Sequence, residues 1–462
     1  MKKQKALFLA VTLGLTTAAG VCLQADPAQA ATGDKTYVVI FNQESGLPSG
    51  YDSAITAAGG KVSRTLPQLG AVEVVSNRTD FTANLQTSSF VQDVSVENHL
   101  YPDVLPGSVT KLNSTESSKA KSDFSTHDLY NEFQWDIKQI NGNGAAWKFP
   151  GGTGKSVDGK DIVVAVMDTG IDYNHPDIKG NYLYGKSFVP GEPDPIDESG
   201  HGTHVAGAIA GNGRVLGVGP DLKLASYRVF GSFGGGATVD IATAIRTAAD
   251  DNVDVINMSF GGYDWIQDPS STPKDMKADV KLFERAINYA VKKGVTVVGS
   301  AGNEGADLQS PGRLTKELYG PDAHGATFRI PWSKDLIAVS ATGEELNRAY
   351  YSNYGKGMIT LSAPGGDYGT AWMQDYNWDL MDPYKRCLST VPGGGYAWMM
   401  GTSMASPKAA ALAGLIIAHY GKDVLAPAKV RDIMEKSATD LGAKGYDGEF
   451  GYGLINAVKA LK

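Results

Sequence analysis

The run Ala409-Ala410-Ala411-Leu412-Ala413-Gly414-Leu415-Ile416-Ile417-Ala418 is apolar on every side of a helix. Such a helix has no face to give to water, so other elements must enclose it. At 462 residues the chain is long enough to build that enclosing core. Just before the run stands Gly401-Thr402-Ser403-Met404-Ala405-Ser406-Pro407, which puts Ser403 where a loop turns into the buried helix. A serine there is either a cap, its oxygen accepting a backbone N–H, or a nucleophile, since a helix N-terminus favours negative charge developing beside it.

The enclosing elements are legible upstream. Asp161 to Met167 is near-continuously apolar, as a parallel strand buried on both faces must be. Further strands are expected over 222–229, 253–259, 295–300 and 336–341, with helices over 237–250 and 278–293. The alternation predicts an α/β domain from residue 128 to 462, a doubly wound parallel sheet with sites beyond the carboxyl ends of its strands. Ahead of it, residues 31–102 read as a small α+β unit of order β-α-β-α-β. Residues 103–127 are polar, with few large apolar neighbours, and read as a flexible exposed linker of the kind that is cut.

Residues 1–30 carry the marks of an export signal: Lys2, Lys3 and Lys5, an apolar run from Ala6 to Leu15, and Ala28-Gln29-Ala30 before the cut. The run is too short and interrupted to span a membrane, so a secreted protein without a stable membrane anchor is expected. Cys22 would leave with the signal, and Cys387 alone forms no internal disulfide. A net charge of −8 gives no basic stripe, so no nucleic-acid partner is expected.

Three segments carry chemistry. Asp168-Thr169-Gly170 follows the first buried strand, His201-Gly202-Thr203-His204-Val205-Ala206-Gly207 opens a small-residue helix, and Ser403 opens the buried one. A lone Asp after a strand is commonly a turn or cap residue. The trio together has a purpose: a serine hydroxyl needs a base to take its proton, imidazole suits that role, and a carboxylate fixes the ring's tautomer. These motifs resemble the three signatures of subtilisin-like serine proteases, in the order Asp, His, Ser that subtilisin shows. The resemblance implies Asp168 as orienting acid, His201 as general base and Ser403 as nucleophile, with His204 structural. His201 and His204 lack the spacing of a zinc-binding His-Glu-x-x-His pair.

The resemblance implies more. Ala301-Gly302-Asn303-Glu304-Gly305 matches the family's oxyanion segment, so the Asn303 amide would donate to the developing oxyanion, with the Ser403 N–H as second donor. Ser259-Phe260-Gly261-Gly262 matches one edge that pairs with extended substrate, and Gly234-Gly235-Gly236 resembles the opposite edge. Residues 31–102 then correspond to an inhibitory propeptide domain of ferredoxin-like form, cut near Tyr101 to Leu105, in the linker, or at both. Asp177 matches a calcium ligand, but Ala208 to Val215 is shorter than the family's calcium loop; calcium is left open, with no ligands assigned and the metal unknown. No organic cofactor is implied. Insertions at 306–327 and 366–396, the second rich in aromatics, read as packed excursions or as walls that narrow substrate choice. Arg329 would favour an acidic side chain in the primary pocket; Asp307 or Asp322 would favour a basic one. The expected protein is a self-maturing serine endopeptidase acting as a monomer on polypeptides, either broadly or on one precursor or leader peptide. The alternative is a catalytically inactive secreted peptide-binding protein of the same fold.

Overall fold

Tyr37, Val39 and Phe41 turn to one face of an extended segment and Val38 and Ile40 to the other, so the first strand of the chain is buried on both sides. The computed structural model describes residues 33–105, 107–113, 127–232, 234–267, 276–323, 326–375 and 377–462. The expected export signal, linker residues 114–126 and Tyr376 lie outside the described residues. Strands β1 (Lys35–Phe41), β2 (Lys61–Leu66), β3 (Ala71–Ser76) and β4 (Val91–Val96) form an antiparallel sheet in the order β2-β3-β1-β4. Helices Tyr51–Ala57 and Phe81–Leu85 cover one face through Ile55, Phe81 and Leu85. The order is β-α-β-β-α-β, a ferredoxin-like arrangement, one strand more than the sequence predicts. The extra strand, β2, is an edge whose polar residues face water, so no apolar run announces it.

Two short strands follow, β5 (His99–Leu100) and β6 (Thr110–Lys111). Then come β7 (Val163–Asp168), β8 (Tyr182–Ser187), β9 (Lys223–Arg228), β10 (Gly236–Ala237), β11 (Val255–Met258), β12 (Gly262–Gln267), β13 (Thr296–Ser300), β14 (Ala326–Ile330), β15 (Ile337–Thr342), β16 (Leu361–Pro364), β17 (Cys387–Val391) and β18 (Gly395–Met399). Seven of these make an all-parallel sheet in the order β16-β15-β13-β11-β7-β9-β8. The chain places β8 and β9 on one side of β7 and then β11, β13, β15 and β16 on the other, so the crevice at the carboxyl ends of β7 and β11 is the switch point where α/β sheets place their sites. Edge strands β8 and β16 were not expected: β8 is only half-buried and β16 is short.

Side chains of β7 divide the core. Val164 and Val166 pack with helices His201–Ala210 and Thr402–Tyr420, while Val163, Ala165 and Met167 pack with helices Thr238–Asp250 and Lys277–Lys292. Helix Thr402–Tyr420 is buried from Thr402 to Ala418, as its composition requires. The ferredoxin-like unit lays its second face on helix Lys277–Lys292. There Arg285 donates to the carbonyls of Phe41, Gln43, Leu69 and Gly70 and to Gln92 Oε1, at 2.7–3.1 Å. Asp279 accepts from Ser95 Oγ at 2.7 Å and the Asn98 N–H at 3.0 Å.

The linker expectation needs correction where it is described. Residues 103–113 are held against the body rather than free, because Thr110 and Lys111 extend the β17–β18 pair and Arg386 donates to the Ser108 carbonyl (2.7 Å) and Thr110 Oγ1 (3.0 Å).

Candidate active site

Asp168 is the last residue of β7 and is fully buried. Its Oδ1 accepts from the Thr169 N–H at 2.8 Å and from His201 Nδ1 at 2.7 Å. His201 is the first residue of its helix, and that helix start presses against the β7 turn. A Cβ on Gly202 would lie 2.1 Å from the Gly170 carbonyl oxygen, so only glycine permits this approach. Asp197 ties the turn together, accepting from Thr169 Oγ1, the Ser199 and Gly200 N–H groups, and the N–H and hydroxyl of Thr203. A carboxylate accepts only, so Nδ1 of His201 carries the proton and Nε2 is left with its lone pair. Nε2 is buried with no hydrogen-bond partner among the described residues. Burial acts to lower the His201 pKa, but the charge and hydrogen bond of Asp168, with the charges of Asp197 and Asp103, outweigh it and raise it.

Ser403 sits in the first turn of its helix, its carbonyl accepting from Ser259 Oγ at 2.9 Å. Asn303 follows β13; its Oδ1 accepts from the Thr402 N–H (2.8 Å) and hydroxyl (3.0 Å), which aims Nδ2 into the cleft. Both groups converge on the chain's own backbone. Ser403 Oγ donates to the Asp103 carbonyl oxygen at 3.0 Å, and Asn303 Nδ2 donates to the same oxygen at 3.2 Å. The Ser403 hydroxyl therefore bonds to a peptide carbonyl, not to His201. His201 lines the same cleft as Pro102 and Val104, the two neighbours of Asp103.

The segment leading to Asp103 lies as an added strand. β5 pairs antiparallel with β10, Leu100 opposite Gly236 and His99 opposite Ala237. Pairing falls on Gly236, the last of the three glycines of the expected edge, and on Ala237. Gly235 instead lies beneath, where a Cβ would meet the Leu100 carbonyl at 2.5 Å, and Gly234 lines the cleft. Ser259 and Phe260 are buried within the body, Ser259 on Ser403 and Phe260 against Phe230. Among the described residues, no hydrogen bond joins Ser259–Gly261 to residues 99–103.

Other expectations resolve by their partners. His204 is buried, its Nε2 against the carbonyls of Cys387 and Ala397, and burial pushes its pKa down to about 3, which suits a packed neutral ring. Asp177 Oδ2 accepts from the Val215 N–H and the Tyr396 hydroxyl. Asp307 pairs with Arg313, and Asp322 is exposed. In the 366–396 insertion Tyr368, Trp372 and Trp378 pack on one another, and Tyr368 and Trp372 also pack on Tyr350. Sequence reasoning missed Asp197, whose place four residues before His201 is a cap-like signal; Asp103 falls within the expected cut range Tyr101 to Leu105 and Glu304 within the oxyanion segment, but neither carries a signal of its own role.

A profile of the subtilase family matches residues 159–453. Subtilisin amylosacchariticus of Bacillus subtilis subsp. amylosacchariticus is 30% identical over 99% of both chains. Subtilisin Savinase of Lederbergia lenta is 33% identical over 68% of this chain and 95% of its own length. Among solved structures, the epidermin leader peptide processing serine protease of Staphylococcus aureus has a TM-score of 0.71 and 26% identity, covering 93% of this chain and 98% of that one.

Proposed function

The chain belongs to the subtilase family and is a subtilisin-like serine endopeptidase; from that premise we propose that it is exported as a precursor that cuts itself between Asp103 and Val104. In this reading Ser403 Oγ attacks the Asp103 carbonyl carbon while His201 Nε2 takes the hydroxyl proton. Asp168 holds the ring and offsets the imidazolium charge. Asn303 Nδ2 stabilises the oxyanion. Collapse of the tetrahedral species breaks the Asp103–Val104 bond. The proton on Nε2 goes to the leaving Val104 amine, and an ester joins Asp103 to Ser403. Water, deprotonated by the same nitrogen, attacks the ester carbon; the bond to Ser403 Oγ breaks, the Nε2 proton returns to Oγ, and the freed Asp103 carboxyl loses its proton to solvent.

The observation that carries the reading is the single carbonyl oxygen of Asp103 receiving both Ser403 Oγ and Asn303 Nδ2. The ferredoxin-like unit, docked through Arg285 and Asp279, is then the inhibitor that occupies the cleft until it leaves. Export rests on residues 1–30; no helix among the described residues is long and apolar enough to cross a membrane. Likeness to a leader peptide processing protease over nearly the whole chain favours dedicated processing of a peptide precursor over broad digestion.

Treating the processed protein with a phosphonofluoridate tests the reading. The expected outcome is one adduct on Ser403 with loss of peptide hydrolysis, and no adduct in His201→Ala. Absence of adduct from the wild type would favour the peptide-binding alternative.

A further inference from the structure

The chain on the carboxyl side of Asp103 stays on the body. Val104 and Val109 both line the cleft that holds His201, with Met399 of β18 beside them. Leu105 packs against the core around helix Thr402–Tyr420. A turn then redirects the chain, closed by the Ser108 N–H on the Leu105 carbonyl (3.1 Å) and opened by Gly107 at a φ of 73°. Beyond it Thr110 lies opposite Trp398 and Lys111 opposite Ala397, and the Leu112 N–H donates to the Tyr396 carbonyl at 2.8 Å. β18 runs towards Ser403 and ends four residues before it. The antiparallel strand therefore runs away from the catalytic centre, in the sense in which the carboxyl-side half of a polypeptide cut at Asp103 leaves it.

Most of these contacts are to backbone, which any extended peptide offers. Arg386, almost completely buried, donates to the Ser108 carbonyl (2.7 Å) and to Thr110 Oγ1 (3.0 Å); its remaining bond among the described residues is to the Pro383 carbonyl (3.0 Å). One side chain is seated in an apolar pocket: Leu112 packs on Leu129, Val215, Leu388, Tyr396 and Trp398. Without the strand, β18 is a bare edge with unpaired N–H and C=O groups, since β17 occupies its other side. The β17–β18 hairpin is also fixed to the catalytic groups. Ser389 Oγ and Thr390 Oγ1 donate, both at 2.8 Å, to the His204 and Thr203 carbonyls in the helix that His201 opens, and β18 leads into Ser403. The fold therefore sets the span from the cut bond to this edge.

We propose that the edge of β18 is a second substrate-recognition site, which takes the seventh to ninth residues after the cut bond as an added strand. Arg386 holds the backbone ahead of that strand, and the pocket that seats Leu112 takes the ninth side chain. The inference rests on the cut between Asp103 and Val104 and deepens it. The fitting substrate is a polypeptide that continues at least nine residues past the cut in unfolded form, with an apolar ninth residue. In the precursor the chain's own residues 108–112 hold that place.

The test uses processed enzyme and two peptides, of residues 98–105 and of residues 98–113. Leu112→Asp in the enzyme unseats its own strand and opens the edge. In that variant KM for the long peptide should lie at least about tenfold below KM for the short one, the scale of one or two net hydrogen bonds, with kcat little changed. Wild type, whose own strand competes, should show a smaller gap. The peptide of residues 106–113 lacks the cut bond; it should inhibit cutting of the long peptide and not of the short one. An N-methyl group on Leu112 of the long peptide removes the N–H that meets Tyr396, and Asp at that place removes the apolar anchor; each should close most of the gap. Equal KM for the two lengths in Leu112→Asp overturns the proposal and leaves the strand a plug of the cleft. Thr110→Pro, which removes the hydroxyl that Arg386 holds and an N–H of the added strand, serves if Leu112→Asp does not fold. Hydrolysis of neither peptide, nor of unfolded casein, overturns the peptidase reading itself.

Discussion

Replacing Arg285 by Met should release the ferredoxin-like unit from the enzyme once the chain is cut. Arg285 alone supplies five hydrogen bonds to that unit, four to backbone carbonyls of Phe41, Gln43, Leu69 and Gly70 and one to Gln92. Hydrogen bonds from a charged donor are worth about 1.5–3 kcal/mol each. Five bonds from one guanidinium are not additive, and Met fills part of the volume, so the loss should resemble that of one partner in a buried charged network, about 3–5 kcal/mol. That corresponds to a Kd for the cut unit weakened by roughly 10²–10⁴. Size-exclusion chromatography of processed protein at micromolar concentration, with hydrolysis of a chromogenic peptide in each fraction, reads the effect. Wild type should elute with the unit bound and low activity. Arg285→Met should elute free of it and active. A variant that keeps the unit bound and stays silent on dilution would refute the placement of the docking energy at Arg285.

Two further outcomes follow from buried charge. Burial, followed by the charges of Glu73, Asp279 and Asp240, pushes Glu97 up to about 8, against the opposing hydrogen bond from the Val239 N–H. The docked state therefore holds a proton that the free unit loses. Docking is strongest below the ordinary carboxyl range and weakens as pH rises towards 8, by up to about tenfold per pH unit; Glu97→Gln should flatten the profile, measured as bound unit against pH. Lys408, fully buried, bonds to Asp136 Oδ2 (2.8 Å), the carbonyls of Pro364 and Met404, and Cys387 Sγ. Lys408→Met strands the Asp136 carboxylate and should cost about 3–5 kcal/mol in urea unfolding. Lys408→Met with Asp136→Leu should recover most of the loss, and a single variant as stable as wild type would count against the pairing.

The sequence announced the parts of the fold that are buried on all sides. β7 and the helix after Ser403 are written in residues that tolerate no water, so composition alone locates them. Edge strands β2 and β8 are half-wet and carry polar side chains, so nothing local separates them from loops. At the site, Asp168, His201, Ser403 and Asn303 stand in motifs at strand and helix ends, and the structure brings them to one cleft. Asp103 stands in no motif, and Glu304 stands in the oxyanion segment with no role of its own legible there. Their meaning comes from contacts that span the chain, such as Asp103 with Ser403 across 300 residues, and no periodicity encodes those. That β5 pairs with Gly236 and Ala237 and not with Gly234 and Gly235 has the same origin, since strand register is fixed by the partner.

The most direct measurement is the intact mass and first residue of the chain purified from an exporting host that lacks other secreted proteases, wild type beside Ser403→Ala. The wild type should carry a break between Asp103 and Val104, and Ser403→Ala should keep residues 103 and 104 joined. The same break in Ser403→Ala made alone, or an intact Asp103–Val104 bond in active wild-type enzyme, would contradict attack by Ser403 on the carbonyl it touches.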